Sequence, residues 1–288
     1  MNRREIATSA GLVGVLGGVL GAGRGPIGLA AAPARAAASG EGNLARILRT
    51  KKLRMAGVAA EEPYFHKDIA TGQWGGFCVQ MGRNIANELG VALEIWPTTW
   101  GNSVLDLETD KIDISFGLNP TPKRALVVDF PPALFYNTSS FIGRKGFTAA
   151  SWAELDRPEV RIAFDLGTSR EVIVRHYAPK ATLVGFRTSA DGLLAVAAGH
   201  ADCFVCTVFL GLAARKANPN LGDFFIPKPY VRVVTTAAIQ YDSDLRFHLF
   251  MGAWADYNRS GGQMRAWILS GLALVGVQAK DVPPEVEF

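Results

Sequence analysis

The sequence predicts an α/β protein of two lobes, each built on a mostly parallel sheet, with two crossing segments that leave a hinged cleft between them. Three observations carry this. Short apolar runs alternate with helical stretches in a β-α-β-α-β order, the same order begins again after residue 150, and a long β-branched run at 231–239 then leads into further helices.

The elements follow in order. Residues 53–59 read as a strand. After the turn Thr71-Gly-Gln-Trp-Gly-Gly76, a helix over 77–89 places Phe77, Met81, Ile85, Ala86 and Leu89 on one face, and Gly90 closes it. A strand at 92–96, a short helix at 103–108 and a strand at 112–117 complete the first unit. In the second unit Ser151 and Glu154 fit a capping box. A strand at 161–164, a helix at 169–177, a strand at 182–186, a helix at 189–198 stopped by Gly199 and a strand at 203–206 repeat the rhythm. The units join near 140–145, and helices are expected at 242–258 and 262–269. Strands near 140 and 235 then link the lobes twice, which assigns 44–142 plus 235–288 to the first lobe and 143–234 to the second.

Composition narrows the class. The chain has 288 residues, 49% of them hydrophobic, enough for a substantial core and too many for a disordered chain. Its net charge is +4, but three of those charges fall within residues 1–38, where Arg3, Arg4, Arg24 and Arg35 face only Glu5. The remainder is nearly neutral and has no basic stripe for nucleic acid.

Residues 1–38 are rich in Gly and Ala around a modest apolar run and end in Ala34-Arg35-Ala36-Ala37-Ala38. They read as an export signal cleaved near 36–38. The Arg3-Arg4 pair leaves both the Sec and the twin-arginine route open. No Cys near the cleavage point offers a lipid anchor, and no later apolar run reaches the ~20 residues of a membrane span. The expected mature form is soluble and periplasmic. Of its three cysteines, Cys203 and Cys206 lie three apart on an apolar strand, so they point to opposite faces and read as buried small residues rather than a redox pair. The four histidines have no metal-ligand spacing, and no cofactor or metal is expected.

Two segments carry chemistry. In Asp113-Ile-Ser-Phe-Gly-Leu-Asn-Pro-Thr-Pro-Lys-Arg124 a strand ends and a polar loop leads to an arginine. Ligands of open α/β sheets bind outside the carboxyl ends of strands, where a guanidinium grips a carboxylate through two parallel hydrogen bonds. In Asp165-Leu-Gly-Thr-Ser169 a strand end again opens a helix, with a glycine, two hydroxyls and free N–H groups that suit either an anion or ordinary N-capping. An anion grip in each lobe would let one ligand draw both together.

Together these segments resemble the extracytoplasmic solute-binding proteins of polar amino-acid ABC importers (bacterial solute-binding protein family 3). The resemblance runs from about residue 53 to 269. It rests on Leu53-Arg-Met-Ala-Gly57, Gly76-Phe77, Trp100, Lys111-Ile-Asp113, Thr121-Pro-Lys-Arg124, Val128-Asp129-Phe130, Gly167-Thr168-Ser169 and Gly199-His-Ala-Asp202. It implies a two-lobed type II periplasmic-binding-protein fold that closes on a small carboxylate-bearing solute, most readily an amino acid, and a monomer that docks on a membrane-embedded ABC permease. It also implies Arg124 as the carboxylate clamp, helped by Asn119, with Ser169 and the backbone of Thr168 holding the same group from the other lobe. Gly117 would offer its carbonyl and Trp100 would line the pocket; Tyr64 falls in a loop expected to face the cleft, where its ring suits either stacking or the core.

The departures are equally specific. Where family members place acids to hold an α-ammonium group, this chain has Thr207, Cys78 and Ala59. A buried ammonium without a counter-charge costs several kcal/mol. Either something replaces these acids or the solute lacks the amine; Glu61 and Glu62, in the same first loop, suit that replacement or a solvated pair at the cleft mouth. Exported cyclohexadienyl dehydratases also resemble this family, but they carry a catalytic acid directly after the equivalent of Ser169. This chain has Arg170 there, with Glu171 the nearest acid, so the expectation is a binding protein and not an enzyme. A ligand-sensing receptor subunit would present the same cleft.

Overall fold

A computed structural model of the chain describes residues 40–284 and 286. The expected export segment lies outside the described residues. Helix α1 (Asn43–Thr50) precedes β1 (Lys52–Val58), and a small hairpin, β2 (His66–Lys67) with β3 (Trp74–Gly75), leads into α2 (Phe77–Glu88). Then come β4 (Ala92–Thr98), α3 (Ser103–Glu108), β5 (Ile114–Leu118), β6 (Val128–Asp129) and the long β7 (Phe135–Gly143). The second half contains α4 (Trp152–Leu155), β8 (Arg161–Asp165), α5 (Ser169–Tyr177), β9 (Thr182–Phe186), α6 (Ser189–Ala197), β10 (Cys203–Thr207), α7 (Val208–Ala217) and β11 (Asp223–Phe225). The chain returns through β12 (Arg232–Gln240) to α8 (Arg246–Ser260) and α9 (Gln263–Leu274).

The strands run in the order β4-β1-β5-β12-β7-β10-β8-β9, with β6 on β12 and β11 on β7. Strands β4, β1 and β5 are parallel to one another, as are β10, β8 and β9. Strands β7 and β12 are antiparallel to their neighbours and join the two parallel groups. Strand β12 pairs with β7 over Arg232–Thr235 and with β5 from Thr236 onward, with a register shift between Thr236 and Ala237. Strand β7 pairs with β12 through Phe135–Thr138 and with β10 through Ser139–Gly143. The first halves of the two long strands thus pair with each other, while the second half of β12 joins β5 and that of β7 joins β10.

The inner parallel strands are apolar on both faces because helices cover both. One core packs Leu53, Met55, Phe77, Met81, Ile114 and Phe116 with Phe247, Met251 and Ile268 of α8 and α9. In the other lobe successive residues of β10 feed opposite faces: Cys203 and Val205 join Phe141, Trp152 and Phe164, while Phe204 and Cys206 join Ile142 and Leu210. The three cysteines are free and buried.

A matched pair of acids ties down each parallel group. Asp113 Oδ2 accepts the Arg54 N–H at 2.8 Å, and its Oδ1 binds the guanidinium groups of Arg54 and Arg46 at 2.6 and 2.7 Å. In the second lobe Asp202 Oδ2 accepts the Arg161 N–H at 2.9 Å, and its Oδ1 binds Arg161 and Arg144. The sequence resemblance at Lys111-Ile-Asp113 and Gly199-His-Ala-Asp202 therefore marks a structural device placed at the strand ends opposite the cleft.

Most predicted elements appear within a few residues of their expected bounds. The helix expected over 242–258 begins instead at Arg246, because Asp242 and Asp244 turn their carboxylates onto backbone N–H groups of Asn43, Asp244 and Arg246. The last helix runs further than expected, to Leu274. Helix α7 was hidden in a continuous apolar run; Thr207 caps it by accepting the Leu210 N–H at 3.3 Å.

Candidate ligand-binding cleft

The carboxyl ends of β5 and β10, the middle of β7, the start of β12 and the N-terminus of α5 converge on one pocket. The empty space among its lining atoms is about 520 Å³, open solvent at its mouth included. Of the sequence-predicted residues it brings together Glu61, Tyr64, Trp100, Gly117, Asn119, Arg124, Thr168, Ser169 and Thr207. Cys78 and Glu62 are not brought to it. Cys78 lies in the first turn of α2, fully buried in the core, and burial pushes its thiol well above the ordinary range. Glu62 turns outward onto His66 Nδ1 at 3.0 Å.

Arg124 is the centre of charge. Its Nη1 donates to the Asn119 carbonyl and its Nη2 to the Gly167 carbonyl, both at 2.9 Å, so the side chain spans from the first lobe to the second. No acidic side chain among the described residues pairs with it, and burial lowers its pKa from the ordinary guanidinium value. A half-buried cation held by neutral carbonyls is prepared for an anion.

Neutral groups frame this charge. Ser169 Oγ donates to Asn119 Oδ1 at 2.6 Å, a second contact across the cleft. Asn119 Nδ2 in turn donates to the Val234 carbonyl and to Thr235 Oγ1, which fixes the amide against β12. Thr168 caps α5, so the first-turn N–H groups of that helix open beside Ser169. Gly117 has φ +85°, and a Cβ there would lie 2.8 Å from the Trp100 ring. Only glycine lets β5 turn its carbonyl while Trp100 packs across it.

At Thr207, where the family resemblance implies an acid, neutral oxygens stand together. The Tyr64 hydroxyl donates to Asn137 Oδ1 at 2.8 Å and lies 3.0 Å from Thr207 Oγ1. Burial raises the Tyr64 phenol above its ordinary range, so it stays a neutral donor.

The acid in the pocket is Glu61. It is buried, Ser189 Oγ lies 2.5 Å from its Oε1, and its Oε2 has no hydrogen-bond partner. Burial pushes its carboxyl up to about 7; Asp165 adds to the rise and Arg170 opposes it. Arg170, also buried, binds Asp165 Oδ2 through Nη2 at 2.6 Å.

Sequence reasoning did not identify Arg170 as a pocket residue, nor Asn137, Thr138, Ser139, Leu118, Ile173 and Val233. The polar run Asn137-Thr-Ser-Ser140 inside an otherwise apolar strand was a usable signal, because four polar residues buried in a crossing strand need a reason to be there.

Comparison with known proteins agrees with the fold. The chain is 22% identical over 228 residues to a cyclohexadienyl dehydratase of Pseudomonas aeruginosa, covering 78% of this chain and 84% of that protein. It is 23% identical over 202 residues to the arginine-binding extracellular protein ArtP of Bacillus subtilis, covering 68% and 76%. An ancestral amino acid-binding protein, described as a precursor of cyclohexadienyl dehydratase, superposes with a TM-score of 0.71 at 27% identity, over 80% of this chain and 99% of that one. The family model of the bacterial extracellular solute-binding proteins, family 3, matches residues 53–266, which span both lobes and every pocket residue named above. The chain belongs to that family of extracellular solute-binding proteins.

Proposed function

We propose that the protein captures a small carboxylate-bearing solute, most readily an amino acid, in the periplasm and hands it as a monomer to a membrane-embedded ABC permease. The observation that carries this is Arg124, a half-buried guanidinium with carbonyl partners only, in a pocket lined from both lobes. In this reading Arg124, Ser169 and the N–H groups at the start of α5 hold the carboxylate. Glu61 replaces the missing acids as the acceptor for an amine, through its unpartnered Oε2. The lobes divide as 44–142 with 235–288 against 143–234, and β7 and β12 act as the hinge. The relatives support the solute class, since one is described as arginine-binding and another as amino acid-binding. A thermal-shift screen of amino acids, dicarboxylates and aromatic acids tests the reading. Stabilisation by at least one carboxylate, lost in its amide or ester, is the expected result; stabilisation by none contradicts it.

One observation favours a second reading. Dehydration of a cyclohexadienyl carboxylate needs a protonated acid in the cleft to assist a leaving hydroxyl, and Glu61, raised to about 7, is such an acid. Glu171 is not, because it is engaged with the Gly167 N–H and with Arg175. Arg170 stands where the resemblance places the enzyme's acid, which supports binding over catalysis. Incubation with prephenate separates the two: turnover that disappears in Glu61→Gln would establish the enzyme.

A further inference from the structure

Beneath the pocket three oxygens stand closer together than their protons allow if both acids are ionised. Ser189 Oγ lies 2.5 Å from Glu61 Oε1 and 2.7 Å from Asp165 Oδ2. A hydroxyl carries one proton, so it donates to one carboxylate and must accept from the other. Two ionised carboxylates on one hydroxyl leave a short oxygen–oxygen contact without hydrogen and add repulsion between like charges. The arrangement closes only with one further proton. Arg170 Nη2 bonds Asp165 Oδ2 at 2.6 Å, which marks Asp165 as the ionised member. The proton then sits on Glu61, which donates to Ser189, which donates to Asp165. The chain also crosses the cleft, because Glu61 belongs to the loop after β1 and its partners belong to α6, β8 and α5 of the other lobe.

We infer that Glu61 determines which class of solute closes the cleft: its buried carboxyl is compensated either by a proton shared with Ser189 and Asp165 or by the cationic nitrogen of a bound solute. Binding of an aminated solute moves the Glu61 proton to solvent, while a deaminated carboxylate leaves it in place. The solute half of this inference rests on the proposed carboxylate clamp at Arg124; the proton itself does not. The charged groups facing Glu61 are Asp165 and Arg170. Two further titratable groups lie near. Cys206 is pushed up to about 12 and Tyr64 higher still, both by burial, so neither exchanges a proton near neutrality. Glu62, on the same loop, faces His66 instead. Glu61 is therefore the group that switches, and its unpartnered Oε2 belongs to a pocket residue.

The proton is tested without any solute. Carbon-13 NMR of protein labelled at the glutamate carboxyls should show one carboxyl titrating near pH 7, absent in Glu61→Gln and shifted to lower pH in Asp165→Asn, where burial still holds it above the ordinary range. Titration of every glutamate in the ordinary range, about 4 to 5, would overturn the inference. Should Asp165→Asn fail to fold, Glu61→Gln alone assigns the signal. The selectivity is read by thermal shift at acid and alkaline pH with the common L-amino acids and their 2-oxo counterparts. Aminated solutes should weaken about tenfold for each pH unit below 7, with no such slope for the 2-oxo acids or in Glu61→Gln. The same slope for both classes overturns the selective role. If no solute binds at any pH, the carboxylate reading fails while the NMR titration still decides the proton.

Discussion

Arg124 reaches across the cleft and donates to the Gly167 carbonyl at 2.9 Å, in a loop whose approach depends on two glycines. Gly167 has φ +73°, and a Cβ on it would lie 3.2 Å from the Gly101 Cα of the opposite lobe. Backbone thus meets backbone where the lobes touch, and the arginine is held by peptide carbonyls that carry no net charge. A solute carboxylate entering here meets a cation whose charge has not been cancelled, which separates this arginine from Arg54, Arg161 and Arg170, all committed to aspartates.

The paired acids outside the cleft give a stability prediction. Asp113→Ala leaves Arg46 and Arg54 without their shared buried carboxylate and should cost about 3 kcal/mol, read as a lower urea midpoint with an unchanged slope. For Asp202, partial burial opposes ionisation, but Arg161 and Arg144 overcome it and hold the carboxyl at about 2, against an ordinary 3.8. Its contribution is present above pH 3.8 and lost as pH falls through about 2. Asp202→Asn should therefore destabilise at neutral pH and lose part of that difference in strong acid.

Gly117→Ala tests the close approach of β5 to Trp100. The left-handed φ costs an alanine about 1–2 kcal/mol, and the added methyl meets the indole at 2.8 Å. The melting temperature should fall, and solute affinity should fall with it because the indole has to move. An unchanged melt would show that this backbone conformation is not required.

The Glu61 linkage has the opposite sign to that of Asp202. Its folded value, about 7, lies above the ordinary 4.5, so the stability it contributes is complete below about pH 4.5 and lost as pH rises through 7. Glu61→Gln cannot titrate. The melting temperature of the wild type should fall relative to that of the variant between about pH 5 and 8; parallel pH profiles would contradict the raised value.

The strand–helix rhythm was legible because parallel strands buried on both faces and amphipathic helices leave different periods. The place of Arg124 in the pocket was legible for a related reason: a strand end, a polar loop and the arginine form one local segment. Helix α7 was not, since an apolar run following a buried strand has no period of its own until Thr207 is seen to cap it. Cys78 illustrates a different limit. It stands at a position where the family resemblance implies an acid, yet its side chain packs into the core, so a matching position did not carry a matching orientation. The Glu61–Ser189–Asp165 chain joins residues more than a hundred positions apart, and only the closing of one lobe on the other brings them together.

The account stands most directly on the charge of Arg124. Calorimetric titration of the strongest carboxylate from the thermal-shift screen into wild type and Arg124→Ala measures it, with circular dichroism to confirm that the variant folds. Loss of the charge-assisted pair should weaken binding at least thirtyfold, about 2 kcal/mol or more. A folded Arg124→Ala protein that binds the same carboxylate with unchanged affinity would contradict the account.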